Sequence, residues 1–160
     1  MPEGLTRDGN YNLWVLLHQV SDIIFSAREA ELQKCGLPAT QAEVLFVIKA
    51  IGDEVTPAQI SRMVFRRPHS VSGIIDRMAK AGLVKKAKNL RRKNLVRVTI
   101  TEKGQKAYSQ ALRRKSVQKI LSALPEAEQR KLRSLLETLR IRGLKELGMN
   151  PKKLPAPRFV

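Results

Sequence analysis

Residues 68–101 read PHSVSGIIDRMAKAGLVKKAKNLRRKNLVRVTIT, and this stretch decides the fold. Four apolar residues in its first half have the spacing of one helix face: Val71, Ile74, Ile75 and Met78. Gly82 ends this predicted helix. The runs 83–86 and 95–100 then predict two short strands, separated by the basic stretch 88–94. We therefore expect a helix followed by a two-stranded hairpin with a positively charged tip.

Three helices are predicted on the amino-terminal side of this stretch. The first covers residues 10–33, where apolar residues recur at helical spacing over a broad face. The second begins around Thr40 and ends at Gly52. The third is short and runs through Val64, and Thr56 begins it as the first residue of a capping box.

Two longer helices are predicted on the carboxyl-terminal side. Thr101 caps a fifth helix that runs past Ile120. Pro125 opens a sixth helix, which carries a stripe of leucines and ends at Gly148. The tail from residue 150 to residue 160 contains three prolines and is expected to be irregular and mobile.

The order of helix, short helix, turn, helix and hairpin is typical of a winged helix-turn-helix. We therefore predict a mainly α-helical fold with six helices and a small two-stranded β wing. The terminal helices carry more apolar surface than one small winged domain can cover, which favours a helical dimerisation region from both termini. The predicted division is a dimerisation helix at 1–36, the winged domain at 37–101, dimerisation helices at 102–148 and the tail at 149–160.

The helix at the centre of this module is expected to enter the DNA major groove. At roughly 100° per residue, burial of its four apolar residues turns the opposite face outward. That outward face consists of His69, Ser72, Gly73, Asp76 and Lys80, with Ser70 and Arg77 on its flanks. Serine and histidine side chains bond base edges, and a glycine lets the backbone approach them. Arg66 and Arg67, at the positive end of the helix dipole, suit phosphates.

The charge pattern points to the same partner. Between Asp76 and Glu102 there are nine Lys and Arg residues and no acidic residue, and the whole chain has a net charge of +17. Such a field favours an anionic polymer, so we expect double-stranded DNA as the partner. The hairpin-tip residues expected to reach the DNA backbone or minor groove are Lys88, Arg91, Arg92 and Lys93.

The rest of the composition excludes several function classes. The apolar runs are far shorter than the roughly 18 residues of a membrane span, and the amino terminus lacks a signal pattern, so a cytoplasmic location is expected. One cysteine and two distant histidines offer neither a disulfide nor a zinc site. No nucleotide-binding or catalytic motif occurs, so we expect no cofactor and no enzymatic activity.

Four groups of residues stand together in a recognisable order. They are Pro57-x-x-Ile60-Ser61, Ile75-Asp76-Arg77-Met78 with Gly82-Leu83-Val84, Arg91-Arg92, and Thr101-Glu102-Lys103-Gly104. Over about residues 10–148 the chain resembles the MarR family of transcriptional regulators. The resemblance implies a homodimer whose first, fifth and sixth helices interlock and which binds a pseudo-palindromic operator. It also implies that a small phenolic or lipophilic ligand, or oxidation, relieves binding.

The chain departs from the family pattern at the predicted wing. The family usually has an aspartate before the paired arginines, whereas this chain has Asn89 and Leu90. This departure makes the predicted wing more positive, which should strengthen non-specific affinity for DNA.

Three residue assignments stay open. Asp76 pairs with Lys80 or Arg62, or it touches a base. Cys35 is either an oxidation sensor or an inert thiol at a helix end. Three residues of the first helix either line a ligand pocket under the dimer or belong to the core and interface: Trp14, His18 and Phe25.

The predicted function has a main interpretation and an alternative. The main interpretation is a sequence-specific transcriptional regulator that acts as a repressor and is relieved by a small ligand. The alternative is a nucleoid-associated or RNA-associated structural protein that uses the charge of +17 without choosing a sequence.

Overall fold

The computed structural model describes residues 7–52, 54–88, 92 and 95–154 of the chain. Within these ranges, helices and strands follow one another in the order α1 (Gly9–Gln33), α2 (Ala39–Ile51), α3 (Pro57–Met63), α4 (Pro68–Lys80), β1 (Val84–Lys88), β2 (Val96–Ile100), α5 (Glu102–Ala111), α6 (Lys115–Leu121) and α7 (Glu126–Glu146). The mainly helical fold with a two-stranded wing is as predicted.

The apolar core lies between α2, α3, α4 and the hairpin. Leu45, Ile60, Met78 and Val98 are completely buried in it, one from each of these elements. Because α2 is apolar on several sides, it packs against α4, α5 and β2 as well as α3. This arrangement makes α2 the central support of the winged domain.

The two strands pair antiparallel, with Val84 opposite Ile100 and Lys88 opposite Val96. The first strand begins one residue later and ends two residues later than predicted, so Lys88 lies on the strand and not in the loop. Val55 forms an isolated antiparallel β-bridge with Val98 of the second strand, because the Val98 amide donates to the Val55 carbonyl at 2.8 Å. The hairpin is thus anchored to the segment between α2 and α3.

Two of the predicted helix caps are confirmed. The Gln59 amide donates to Thr56 Oγ1 at 3.2 Å, and the Thr56 amide donates back to Gln59 Oε1 at 2.9 Å, which completes the capping box. At the start of α5, the Gly104 amide donates to Thr101 Oγ1 at 3.0 Å. Both caps satisfy amides that the first turn of a helix leaves without a partner.

The prediction of one fifth helix running past Ile120 is wrong. This part of the chain forms two helices, α5 and α6, separated by residues 112–114. The guanidinium of Arg28 on α1 donates to the Ala111 carbonyl, and Glu31 accepts from the Lys115 amide at 2.9 Å. Glu31 also accepts from Ser116 Oγ at 2.6 Å, which is the main reason why the pKa of Glu31 is lowered. These side chains satisfy backbone groups that the break frees, so the interruption is stabilised by α1.

The start of the carboxyl-terminal tail is ordered, contrary to the prediction of an irregular and mobile segment. Asn150 caps a 3-10 turn at Pro151–Lys153, and Leu154 is only 4% exposed. The Arg140 guanidinium on α7 donates to the Leu154 carbonyl at 2.5 Å. An apolar side chain and a captured carbonyl therefore hold this segment, whereas 155–160 lie outside the described residues.

Candidate nucleic-acid interface

Helix α4 is oriented as its sequence pattern predicts. Val71 and Met78 have no exposed surface, and Ile74 and Ile75 are also buried. The helix packs through this face against α2, α3 and β1. The opposite face is exposed to solvent, so the predicted inward and outward faces are confirmed.

The exposed face of α4 carries small polar side chains. His69, Ser70 and Ser72 are exposed, and Gly73 is half-buried. A Cβ at Gly73 would lie 3.6 Å from Arg77 Nη1, which is an ordinary contact. The fold of the protein alone therefore does not require glycine at this position, and the expected close approach to DNA stays a prediction.

The turn between α3 and α4 sets the direction of α4. Buried Ser61 donates its hydroxyl to the Arg66 carbonyl at 2.6 Å, and the Arg66 amide donates to the Ser61 carbonyl at 3.1 Å. Phe65 within this turn has a φ of 53°, a left-handed conformation that few non-glycine residues adopt. Arg67 then precedes α4 in an extended conformation, with Pro68 as its first helical residue. The two arginines are thus placed at the amino end of α4.

Arg66 is engaged by an acidic residue of α2. Its Nη2 lies 3.3 Å from Glu43 Oε2, and its Nε lies 3.4 Å from the same oxygen. Burial raises the pKa of Glu43, and the charge of Arg66 opposes that rise. The guanidinium of Arg66, which is expected to bind a DNA phosphate, is therefore paired with a carboxylate of the same chain.

Asp76 pairs with Lys86 on β1, which corrects the predicted choice between Lys80 and Arg62. The hydrogen bond from Lys86 and then its charge lower the pKa of Asp76, and the charge of Lys80 adds to this effect. Lys80 is thus an electrostatic neighbour, whereas Arg62 is not the partner. The contact ties the wing to α4.

The exposed positive charge continues from α4 onto the wing. Lys85, Lys86 and Lys88 are exposed on β1, and Arg92 is exposed at the tip. Arg97 on β2 is paired with Glu54, next to the Val55 bridge. Arg91 and Lys93, which were also predicted to contact DNA, lie outside the described residues.

A cavity of about 290 Å³ lies between α1, α2 and α5. Its walls combine aromatic and charged side chains, namely Phe25, Arg28, Glu43, Phe46, Tyr108 and Arg114. Phe25 is thus on the wall of this cavity, which is compatible with one of the two alternatives left open for it. Trp14 and His18 do not line it, because they lie nearer the amino end of α1, exposed and stacked on each other at 6.0 Å.

The terminal helices leave a broad apolar surface exposed. On α1 the exposed apolar residues include Leu13, Trp14, Leu16, Val20 and Ile23. On α7 they are Leu135, Leu136, Leu139 and Ile141, and Leu147 follows directly after the helix. Large apolar side chains exposed over two helices in this way mark an interaction site. Cys35, beyond the end of α1, is exposed as well.

Two acidic residues near this interface were not singled out from the sequence. Glu43 and Glu54 each neutralise an arginine of the winged domain. The one available signal was that Glu43 is the single acidic residue of α2. Its partner is 23 residues away, so helical spacing cannot reveal the pair.

An exposed polar helix beside a basic hairpin, on a helix-turn-helix core, defines a winged helix-turn-helix protein. Residues 36–93, which cover most of that module, match the family model described as MarR family. Over this segment the predicted resemblance is thereby confirmed, and the chain has the winged helix-turn-helix fold of MarR-family transcriptional regulators.

Several solved structures share this fold. The chain is similar to the organohalide-sensing transcriptional regulator RdhR-CbdbA1625 in its 2,4-dichlorophenol-bound form, with 28% identity over 100% of this chain and 98% of that chain and a TM-score of 0.87. It is similar in fold to a mutant MarR from E. coli complexed with operator DNA, with 22% identity, 80% and 93% coverage and a TM-score of 0.75. CouR from Rhodococcus jostii RHA1 bound to p-coumaroyl-CoA has 18% identity, 84% and 95% coverage and a TM-score of 0.73.

No curated protein matches the chain. Across the ranges that the structure covers, every helix is too short or too polar to span a lipid bilayer.

Proposed function

We propose that this chain is a homodimeric transcriptional regulator that represses by binding a pseudo-palindromic operator in double-stranded DNA. The exposed face of α4 carries this proposal, because it offers small polar groups to a groove while its apolar face anchors it. We assign base contacts to His69, Ser70, Ser72 and Gly73. We assign backbone and minor-groove contacts to Arg66, Arg67, Arg77, Lys80, Lys88, Arg91, Arg92 and Lys93.

The exposed apolar faces of α1 and α7 support the homodimer. A second copy of the chain, related by a two-fold axis, would cover them with the same faces of its own helices. Winged and helix-turn-helix dimers read half-sites about one helical turn apart. The relative of known structure that is complexed with operator DNA supports this mode of binding.

The two classes of DNA contact predict different losses. Ser72→Ala should reduce discrimination between the preferred site and its point variants, because one base contact is worth about 1–3 kcal/mol. Arg92→Ala should weaken binding to all duplexes alike and reduce the slope of log affinity against log salt by about 0.9 per protomer. Selection from a random duplex pool, followed by anisotropy titrations over a salt series, measures both.

Ser109→Ala is the matched control, because Ser109 is an exposed serine on α5 away from this face. It should change neither discrimination nor the salt slope. If the unmodified protein binds every duplex of one length equally, the regulator proposal is wrong and sequence-independent binding is correct.

We further propose that the cavity between α1, α2 and α5 takes a small phenolic or lipophilic effector. Its aromatic walls suit a planar apolar body, and its charged side chains suit one polar group. The relative bound to 2,4-dichlorophenol supports a phenolic ligand. Filling a cavity that adjoins α2, the central support of the winged domain, would change the affinity for DNA.

Removal of one aromatic wall tests the effector site. Phe46→Ala should weaken the binding of 2,4-dichlorophenol about 2- to 10-fold, because an aromatic contact is worth about 0.5–1.5 kcal/mol. Calorimetric titration of the phenol gives the affinity. Tyr11→Ala, which removes an aromatic ring outside this cavity, is the control. Equal affinity of the two variants would place the ligand elsewhere.

A further inference from the structure

We infer that Glu43 couples the cavity to the DNA-binding surface by holding Arg66. When the carboxylate loses its charge or accepts a hydrogen bond from a ligand in the cavity, Arg66 is released to bind a DNA phosphate. This inference rests on the proposed DNA-binding function and assigns Glu43 as a positioning residue.

The carboxyl group belongs to both sites at once. Glu43 lines the cavity from α2, and its Oε2 contacts Arg66 Nη2 and Nε at 3.3 and 3.4 Å. Arg66 in turn lies two residues before the first residue of α4. A single side chain therefore connects the cavity wall to the entrance of the DNA-reading helix.

Arg66 is placed so that only its side chain has to move. Its amide and carbonyl are both fixed to Ser61, at 3.1 and 2.6 Å. The side chain of Arg66 is 38% exposed, and that of Glu43 is exposed to a similar extent. A partly exposed ion pair is weak in water, so a nearby phosphate competes with it effectively.

The two cations that line the cavity have different partners. Arg28 is paired with Glu31 and also donates to the Ala111 carbonyl. Arg114 lies over the Phe46 ring, 5.4 Å from its centroid. Arg66 is therefore the cation that loses its partner when a cavity ligand takes the Glu43 carboxylate.

These contacts also define the ligand chemistry. The ligand presents an apolar or aromatic body to Phe46 and Tyr108, and an O–H or N–H donor to Glu43. Burial raises the pKa of Glu43, so the free carboxylate is less favoured there once Arg66 leaves. A bound donor removes that penalty. Ligand and DNA therefore strengthen each other's binding, which is the opposite sign to the relief that the family resemblance implies, and linkage requires the two effects to be equal.

Glu43→Gln tests this coupling without a ligand, because it keeps the shape of the side chain and removes its charge. At about 0.1 M salt we expect roughly 3- to 10-fold tighter binding of the selected duplex. We also expect the slope of log affinity against log salt to steepen by about 0.9 per protomer, from one added phosphate contact.

Glu126→Gln is the matched control, because it removes one negative charge from an exposed ion pair on α7. If Glu43→Gln and this control give the same affinity and slope, the coupling is absent. In a double-mutant cycle, Arg66→Gln should cost more affinity in the Glu43→Gln background than in the unmodified protein. An equal cost in both backgrounds also overturns the inference.

Two further measurements separate the possible failures. If Glu43→Gln does not fold, Glu43→Asp replaces it, because the shorter side chain withdraws the carboxylate from Arg66. A scrambled duplex is titrated beside the selected one. Equal affinity of the unmodified protein for the two duplexes contradicts the proposed function, whereas an unchanged salt slope in the variant contradicts the coupling.

Discussion

Leu139→Asp should convert the protein from a dimer into a monomer. Leu139 is 54% exposed near the middle of the apolar face of α7, where a partner protomer would bury it. A carboxylate buried at such an interface without a partner costs several kcal/mol, which exceeds what one side chain contributes to association. Sedimentation equilibrium should give twice the 18.1 kDa chain mass for the unmodified protein and a single chain mass for the variant. DNA affinity should fall as well, because one protomer reads one half-site.

Ser134→Asp provides the control on the same helix. Ser134 is exposed and lies about 140° around α7 from Leu139, on the side away from the leucine face formed by Leu135, Leu136 and Leu139. It adds the same charge and should leave the dimer intact. A monomeric unmodified protein, or a dimer that tolerates Leu139→Asp, would contradict the proposed role of this face.

Gly104→Ala should destabilise the winged domain by about 3 kcal/mol or more. A Cβ at this position would lie 2.0 Å from the Leu83 carbonyl oxygen and 2.8 Å from Ile100 Cγ1. Because the nearest atom belongs to the backbone, α5 has to move away from the loop before β1. That movement disturbs the Thr101 cap and the hydrogen bond from the Thr101 amide to the Leu83 carbonyl at 3.1 Å. For a chain of this size, the melting temperature should fall by about 6–12 °C.

Gly143→Ala is the opposite case within the same protein. Nothing lies within 4 Å of a Cβ at Gly143, which is in the interior of α7. Alanine should stabilise the helix there by about 0.5–1 kcal/mol, because it loses less backbone entropy on folding. Thermal and urea unfolding of Gly104→Ala and Gly143→Ala measure the change in the free energy of unfolding that each substitution causes. Similar stability of the two variants would show that the close approach at Gly104 is not a constraint.

Local patterns predicted the elements of the winged domain well. The buried side of α4 followed from four apolar residues within one short segment, and the caps at Thr56 and Thr101 followed from three-residue spacings. These features depend on neighbours within one or two helical turns. The Asp76 partner did not follow, because Lys86 is ten residues away and is brought near by the direction of β1. The sequence had offered Lys80, four residues further along the same helix, or Arg62 instead.

The sequence predicted which side chains of the candidate site are exposed, but it did not predict the ion pairs and hydrogen bonds between them. Exposure of His69, Ser72 and Lys80 could be read from α4 alone. The engagement of Arg66 by Glu43 could not, since it depends on how α2 packs beneath the turn before α4. The same holds for the break after α5, which exists because Arg28 and Glu31 on α1 satisfy the backbone groups that it frees.

By itself, the amino-acid sequence determined the helix-turn-helix order, the amphipathic direction of α4 and the strongly positive charge around it. Those properties depend on the spacing of nearby residues and on composition, and neither changes with the way in which distant segments pack. Only the tertiary structure decided which charges are neutralised, where the long helix breaks, and which aromatic residues enclose a cavity. Such pairings form between segments far apart in sequence, and their energies depend on distances and burial that exist only after the elements have packed.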